Sequence, residues 1–163
     1  MTQRLLDYAG IGSGRLHLEW LSSAEAQRFA DISVKVTEAV RQMGPLDHDG
    51  LKMQIEAAER TVDDGAIRWL VGKEVPITTK GDVYGRSWDV DKYEKVLDTA
   101  LEREYHNNLI VLAIKDGFTS VRDISQKTGL EVLRVSYLLA DLERVGRVEF
   151  TGMTDAKPVF AAL

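Results

Sequence analysis

The amino-acid sequence predicts a mainly helical α+β fold: a helical N-terminal and middle part with one short strand, then a small C-terminal helix-and-hairpin domain. Three observations carry this. Apolar residues recur at spacings of three and four over long stretches, the period of a helix with one buried face. Capping residues and glycines stand at the ends of those stretches. Period-2 alternation is confined to short runs near residues 16–20, 83–84 and 148–160.

The chain has 163 residues and is 44% hydrophobic, enough for one core or two small ones. Its 21 basic and 26 acidic residues give a net charge of −5 without blocks of one sign. That balance favours solubility and disfavours a coat for nucleic acid. The sequence contains no cysteine, so disulfides, thiolate-held zinc, cysteine-ligated clusters and a cysteine nucleophile are outside this polypeptide's chemistry. No apolar run approaches the roughly 20 residues that span a bilayer. The opening MTQRLLDYAG lacks the apolar centre and cleavage site of a signal peptide. A soluble, cytoplasmic protein is expected.

Taken in order, Thr2 to Ala9 reads as a short helix with Leu5, Leu6 and Ala9 on one side and Gly10 as its stop. Gly10, Gly12 and Gly14 follow. They precede a strand instead of linking strand to helix, and no lysine with a following Ser/Thr completes a phosphate loop, so they read as a connecting turn. In Leu16-His17-Leu18-Glu19-Trp20 apolar and polar residues alternate, the pattern of a half-buried strand. Ser22 and Glu25 have capping-box spacing. Ala26, Phe29, Ser33, Val36, Val40 and Met43 then form one face of a helix that Gly44-Pro45 ends. A lone strand leaves its backbone without partners, so either the later hairpins supply the pairing or this opening is the tail of a larger sheet domain.

The block LLDYAGI with RLHLEWLSSAEAQRFADISVKVTEAVRQMGPL, residues about 4–46, resembles the C-terminal end of the methyl-viologen-reducing hydrogenase delta-subunit (MvhD-like) family. In that family the preceding part carries cysteines that hold a [2Fe–2S] cluster, and the subunit passes electrons between a hydrogenase or related oxidoreductase and a heterodisulfide-reductase-type partner. The cysteine-bearing portion has no counterpart here. The resemblance therefore implies a place in an electron-transfer complex, and it assigns no cluster ligand to any residue of this chain.

From Asp47 a second long helix is expected. Leu51, Ile55, Ala58, Val62, Ala66 and Trp69 stay in phase across Gly65, which predicts one helix to Val71 with Gly72 as its cap. Asp63 and Asp64, adjacent on a helix, point about 100° apart and make no carboxylate pair. Between Val75 and Ser87, Pro76, Thr78, Thr79, Gly81, Asp82 and Gly85 form turns, while Val83 and Tyr84 suggest a small strand or hairpin; the stretch reads as a connector. Asp89 or Asp91 caps a helix to about Lys115, with an expected break in the polar run Glu102 to Asn108. His106 lies in that run. Neither it, His17 nor His48 stands at metal-ligand spacing, so ordinary surface histidines are expected.

Residues 107–163 are the most patterned. An apolar helix ends near Asp116-Gly117, a short helix starts at Thr119 or Ser120, Thr128-Gly129-Leu130 turns, and a third helix runs from Glu131 to Val145. Its inward residues are Val135, Leu138, Leu139 and Leu142. Val148 with Phe150, a loop over 152–157, and Val159 with Phe160 complete a hairpin. This order is similar to that of a winged-helix domain. The expected division is therefore 1–46, a remnant resembling the end of the delta-subunit domain; 47–106, a helical connector; and 107–163, winged-helix-like.

The last segment has seven basic and seven acidic residues. Specific DNA binding needs several uncompensated positive side chains. Arg134, Ser136 and Tyr137 on the third helix and Lys157 on the wing are the only candidate DNA contacts. Protein docking is the more economical use of such a module. Trp20, Trp69 and Trp88 are candidate interface residues, because large amphipathic aromatics are favoured there, although tryptophan more often fills a core. No nucleophile–base pair, paired carboxylates or metal set stands out, so no catalytic, cofactor-binding or metal residue is assigned.

The function expected is a non-catalytic accessory subunit of a hydrogenase- or heterodisulfide-reductase-like complex. It would dock on oxidoreductase subunits, with a second copy of the chain as a further candidate partner. The alternative is a winged-helix DNA-binding transcriptional regulator.

Overall fold

The computed structural model describes residues 1–81 and 83–163, and one long helix organises it. The elements are α1 (Thr2–Tyr8), a 3₁₀ turn (Ser13–Arg15), α2 (Ala26–Met43), α3 (Lys52–Asp63), α4 (Gly65–Val75), a π-helical turn (Pro76–Lys80), α5 (Val90–Lys115), α6 (Val121–Thr128), α7 (Val132–Arg144), β1 (Val148–Thr154) and β2 (Lys157–Ala162). The fold is mainly helical with a two-stranded antiparallel sheet. Among the described residues no helix is long and apolar enough to cross a membrane.

Helix α5 is the spine. Asp89 caps its start by accepting from the Asp91 amide at 2.8 Å. From Leu109 to Ile114 every side chain is buried, which an α-helix tolerates only when packed on several sides. One side of α5 meets Leu5, Ala57 and Ile67 through Leu101, Tyr105, Leu109 and Leu112. The other meets Ile124, Val135, Leu138, Leu139, Leu142 and Val148 through Ile110, Val111, Ala113 and Ile114. Two small cores thus share one helix.

The expected break at Glu102 to Asn108 does not occur. The run is continuous helix; Tyr105, Asn107 and Asn108 are buried in it, and Tyr105 and Asn108 have distant partners. The Tyr105 hydroxyl donates to the Tyr8 carbonyl at 2.9 Å, capping an orphan acceptor at the end of α1. Asn108 donates to Thr61 Oγ1 at 3.0 Å and accepts from Arg147 Nη2 at 2.6 Å. Arg147 also holds Glu104, so α3, α5 and the segment after α7 are joined through buried hydrogen bonds.

The expected single helix to Val71 is two. Asp64 takes an extended conformation (φ −61°, ψ 133°) and accepts from the Ala66 and Ile67 amides at 2.9 and 3.0 Å. An N-cap that satisfies two free donors restarts the helix more favourably than continuation through Asp64-Gly65. The new segment passes through Gly72 to Val75. The buried face shifts as well: Ala57, Thr61 and Ile67 are inside, whereas Val62 and Trp69 are exposed. Thr61 is buried because its hydroxyl donates to the Ala57 carbonyl at 2.7 Å.

Residues 16–20 form no strand, a correction with a plain cause: among the described residues no other strand lies beside them to receive their backbone groups. Nor do Val83 and Tyr84 form one; the connector holds the π-helical turn instead, and Asp82 lies outside the described residues. The C-terminal segment follows the expected order. Ser120 caps α6, accepting from Asp123 N at 3.2 Å. Gly129 takes the left-handed conformation (φ 75°) between α6 and α7. The hairpin is longer than expected: β1 runs to Thr154, and only Asp155 and Ala156, both at positive φ, make the turn. Phe150 faces Phe160, with ring centroids 5.9 Å apart. Ser120 bridges to Val159, bringing the α5–α6 connection beside the hairpin.

Candidate docking surfaces

Three surfaces stand out from the side chains upward. The first is α2 with the segment before it. The Glu25 carboxylate accepts from the Ser22 amide at 2.7 Å and from Arg28 at 2.9 Å, which together hold its pKa below the usual range, the Ser22 amide most of all. The helix ends where sequence predicted, at Gly44 with φ 70°. There the Arg15 guanidinium donates to the Gly44 carbonyl at 2.9 Å and to that of Met43 at 3.3 Å, satisfying carbonyls that the helix leaves free. Yet none of its 18 residues is buried. Phe29 is 62% exposed, Leu18 74% and Trp20 82%.

The second is the outer face of α7. Val132, Leu133 and Tyr137 are exposed there, Tyr137 by 66%. The four residues named as candidate DNA contacts are not assembled into a basic surface. Arg134 is half-buried with Glu102 at 3.9 Å. The Ser136 hydroxyl donates to the Val132 carbonyl of its own helix at 3.0 Å. Lys157 stands apart, at the start of β2. The first half of α7 presents mainly Val132, Leu133 and Tyr137 outward, and its last turn presents Glu143 and Arg144, the latter 3.1 Å from Asp141.

The third is a trough of about 640 Å³ between α4, α5 and the end of α7. Ile67, Val96, Ala100, Leu142 and Val145 line it. Its arginines are occupied within the protein: Arg103 lies 2.7 Å from Asp141, and Arg147 holds Glu104 and Asn108. Trp69 (57% exposed) and Trp88 belong to neither of the other surfaces; the Lys92 ammonium sits 4.8 Å from the Trp88 ring centroid. The structure thus exposes Trp20, Trp69 and Trp88, which lie on three different segments of the chain.

His106 departs from the expected surface histidine. It is half-buried, with Nδ1 enclosed and without a hydrogen-bond partner among the described residues. Burial lowers its pKa; Glu102 opposes this and Arg134 adds to it. Tyr105, more deeply placed, has its pKa pushed up to about 12 by burial. The sequence signal for both was present but weak: each lies four residues from an apolar α5 position, Leu101 or Ile110, on an inward side of the helix.

Residues 1–44 match the family model of the methyl-viologen-reducing hydrogenase delta subunit. No solved structure matches the chain.

Proposed function

We propose that the chain is an accessory subunit of a hydrogenase- or heterodisulfide-reductase-like electron-transfer complex, in the cytoplasm, acting through protein–protein docking. The observation that carries the reading is the match of residues 1–44 to the hydrogenase delta-subunit family. Within the matched stretch Leu18, Trp20 and Phe29 lie uncovered. This polypeptide contributes no thiolate, so in this reading a [2Fe–2S] or other redox centre is supplied by another subunit. Residues 1–46 dock, 47–106 connect, and 107–163 act as an interaction arm of winged-helix type. The order α5, α6, turn, α7, hairpin, with the Ser120–Val159 bridge, supports the last point.

That same order is what favours the alternative, a DNA-binding regulator. The composition of α7's outer face speaks against it, since groove-reading helices present uncompensated donors and cations, whereas this one presents Val132, Leu133 and Tyr137.

The test is co-expression of the full chain with the hydrogenase-type and reductase-type subunits encoded in the same genome, followed by size-exclusion chromatography and native mass spectrometry. Stoichiometric co-elution with at least one such subunit is expected. A chain that stays free of all of them, and that shifts duplex DNA at low salt with a steep salt dependence, is the regulator instead.

A further inference from the structure

Residues 17–21 donate and accept no hydrogen bond among the described residues, and Leu16, where the segment leaves the 3₁₀ turn, is in the extended region. Leu16, Leu18 and Trp20 alternate with His17 and Glu19. Directly after this stretch comes a helix whose apolar arc, Phe29, Ile32, Val36, Val40 and Met43, has no fully buried residue: Met43 lies against Gly12 and Gly14, Ile32, Val36 and Val40 stay half-buried, and Phe29 is exposed. The anchoring contacts of α2 are at its C-terminal end, through Arg15. A strand pattern without a sheet, followed by an amphipathic helix without a core, is half of a layered unit. We propose that residues 16–43 complete the sheet of a partner protein: residues 16–21 add as a strand to an exposed sheet edge, and α2 lays its apolar arc on the face of that sheet. The inference rests on the docking role proposed above and names the surface that performs it.

Two arguments select a sheet-bearing partner over a second copy of this chain. The first is area. Eighteen residues make a helix about 27 Å long, and a contact strip about 10 Å wide gives roughly 270 Å² per helix. A stable interface buries about 800 Å² per partner. Paired α2 helices fall well short, whereas strand and helix on one sheet share a single larger footprint with main-chain hydrogen bonds added. The second is charge. Arg28 and Lys35 lie along one flank of the apolar arc; the opposite flank holds Ala30 and Thr37, and the one cation beside them, Arg41, is paired with Glu38 at 3.0 Å. Antiparallel self-pairing sets the cationic flank against its own copy, which is unfavourable. Lys35 has no ion-pair partner among the described residues, and Arg28 pairs only with Glu25 at 2.9 Å. The partner surface therefore carries an acidic rim beside its open edge.

The experiment is hydrogen exchange with mass spectrometry on the full chain, alone and in the complex obtained from co-expression with the hydrogenase-type and reductase-type subunits. Alone, amides 17–21 exchange at unprotected rates at every protein concentration. In the complex, they and the α2 amides slow by at least about 100-fold, a free-energy change of about 2.7 kcal/mol by the usual tenfold conversion. Leu18→Pro, which removes a strand donor, and Phe29→Asp, on the exposed arc, each weaken binding more than tenfold while leaving the melting temperature unchanged; Tyr137→Ala on α7 does not weaken it. A complex in which residues 17–43 exchange as in the free chain overturns this inference and leaves the docking role standing. Protection that grows with the chain's own concentration, without partner, overturns it in favour of a second copy. Failure to form any complex overturns both.

Discussion

Helices α2 and α7 are written in the same code and meet different fates. Both carry apolar residues at spacings of three and four, and both end in glycine-assisted caps. In α7, Val135, Leu138, Leu139 and Leu142 are fully enclosed by α5, α6 and β1. In α2 no residue is buried. Periodicity therefore specifies a face and leaves open what lies against it. In the C-terminal segment the covering surface is supplied within about 55 residues of the same chain; around α2 the described residues supply only partial cover.

The comparison breaks most sharply under truncation. Leu139→Ala removes side-chain atoms from an enclosed site and leaves a cavity, so it is expected to cost about 2–5 kcal/mol. Phe29→Ala removes a larger side chain from α2 and is expected to cost less than about 0.5 kcal/mol. Urea unfolding of the free chain measures both. Equal costs at the two sites would mean that α2 is packed against the body in solution.

A second substitution sharpens the contrast from the polar side. Asn108 is 97% enclosed (3% exposed) and serves two partners, Thr61 and Arg147. Asn108→Ala strands the Arg147 guanidinium's second arm without its acceptor and opens a gap beside Thr61. An expected loss of about 2–3 kcal/mol follows from leaving a buried polar group unmade, again by urea unfolding. No exposed asparagine or glutamine on α2, such as Gln27, is expected to approach that value.

These same sites show what the sequence could and could not disclose. Caps were legible because their chemistry is local: Ser120, Gly129, Asp89 and Gly44 each act within four residues of themselves. The polar run at 102–108 misled because its satisfaction is remote. Tyr105 reaches Tyr8 and Asn108 reaches Thr61 and Arg147, contacts that no window along the chain reveals, so buried polarity looked like a loop. Asp64 misled for the opposite reason. The apolar pattern stayed in phase across it, and only the cap geometry shows that two helices meet there. The candidate surfaces were legible as side-chain types, in Trp20 and Tyr137, but their exposure was not. Alternation at residues 16–20 described what the segment can pair with, and pairing needs a neighbour that lies elsewhere.

The smallest expected effect tests the packed side of the comparison through pH. His106 is held mainly neutral by burial, which places its folded-state pKa below the ordinary 6.5. The unfolded chain therefore takes up a proton at His106 before the folded chain does. Between about pH 6.5 and the lower folded-state value, the unfolded state binds more protons, so stability rises with pH across that window. Above it both states are neutral and this group contributes no slope; below it both are charged and the loss is complete. Thermal melts between pH 5 and 8 are expected to show stability falling on the acid side of pH 6.5, and His106→Gln is expected to flatten that fall. Persistence of the full slope in His106→Gln would place its origin in other groups and show the imidazole to be hydrated in the folded protein. The Glu25 carboxylate, whose pKa is lowered chiefly by the Ser22 amide, loses its stabilising contribution only as pH falls below the ordinary carboxylate range, outside this window, so the two effects separate on one pH axis.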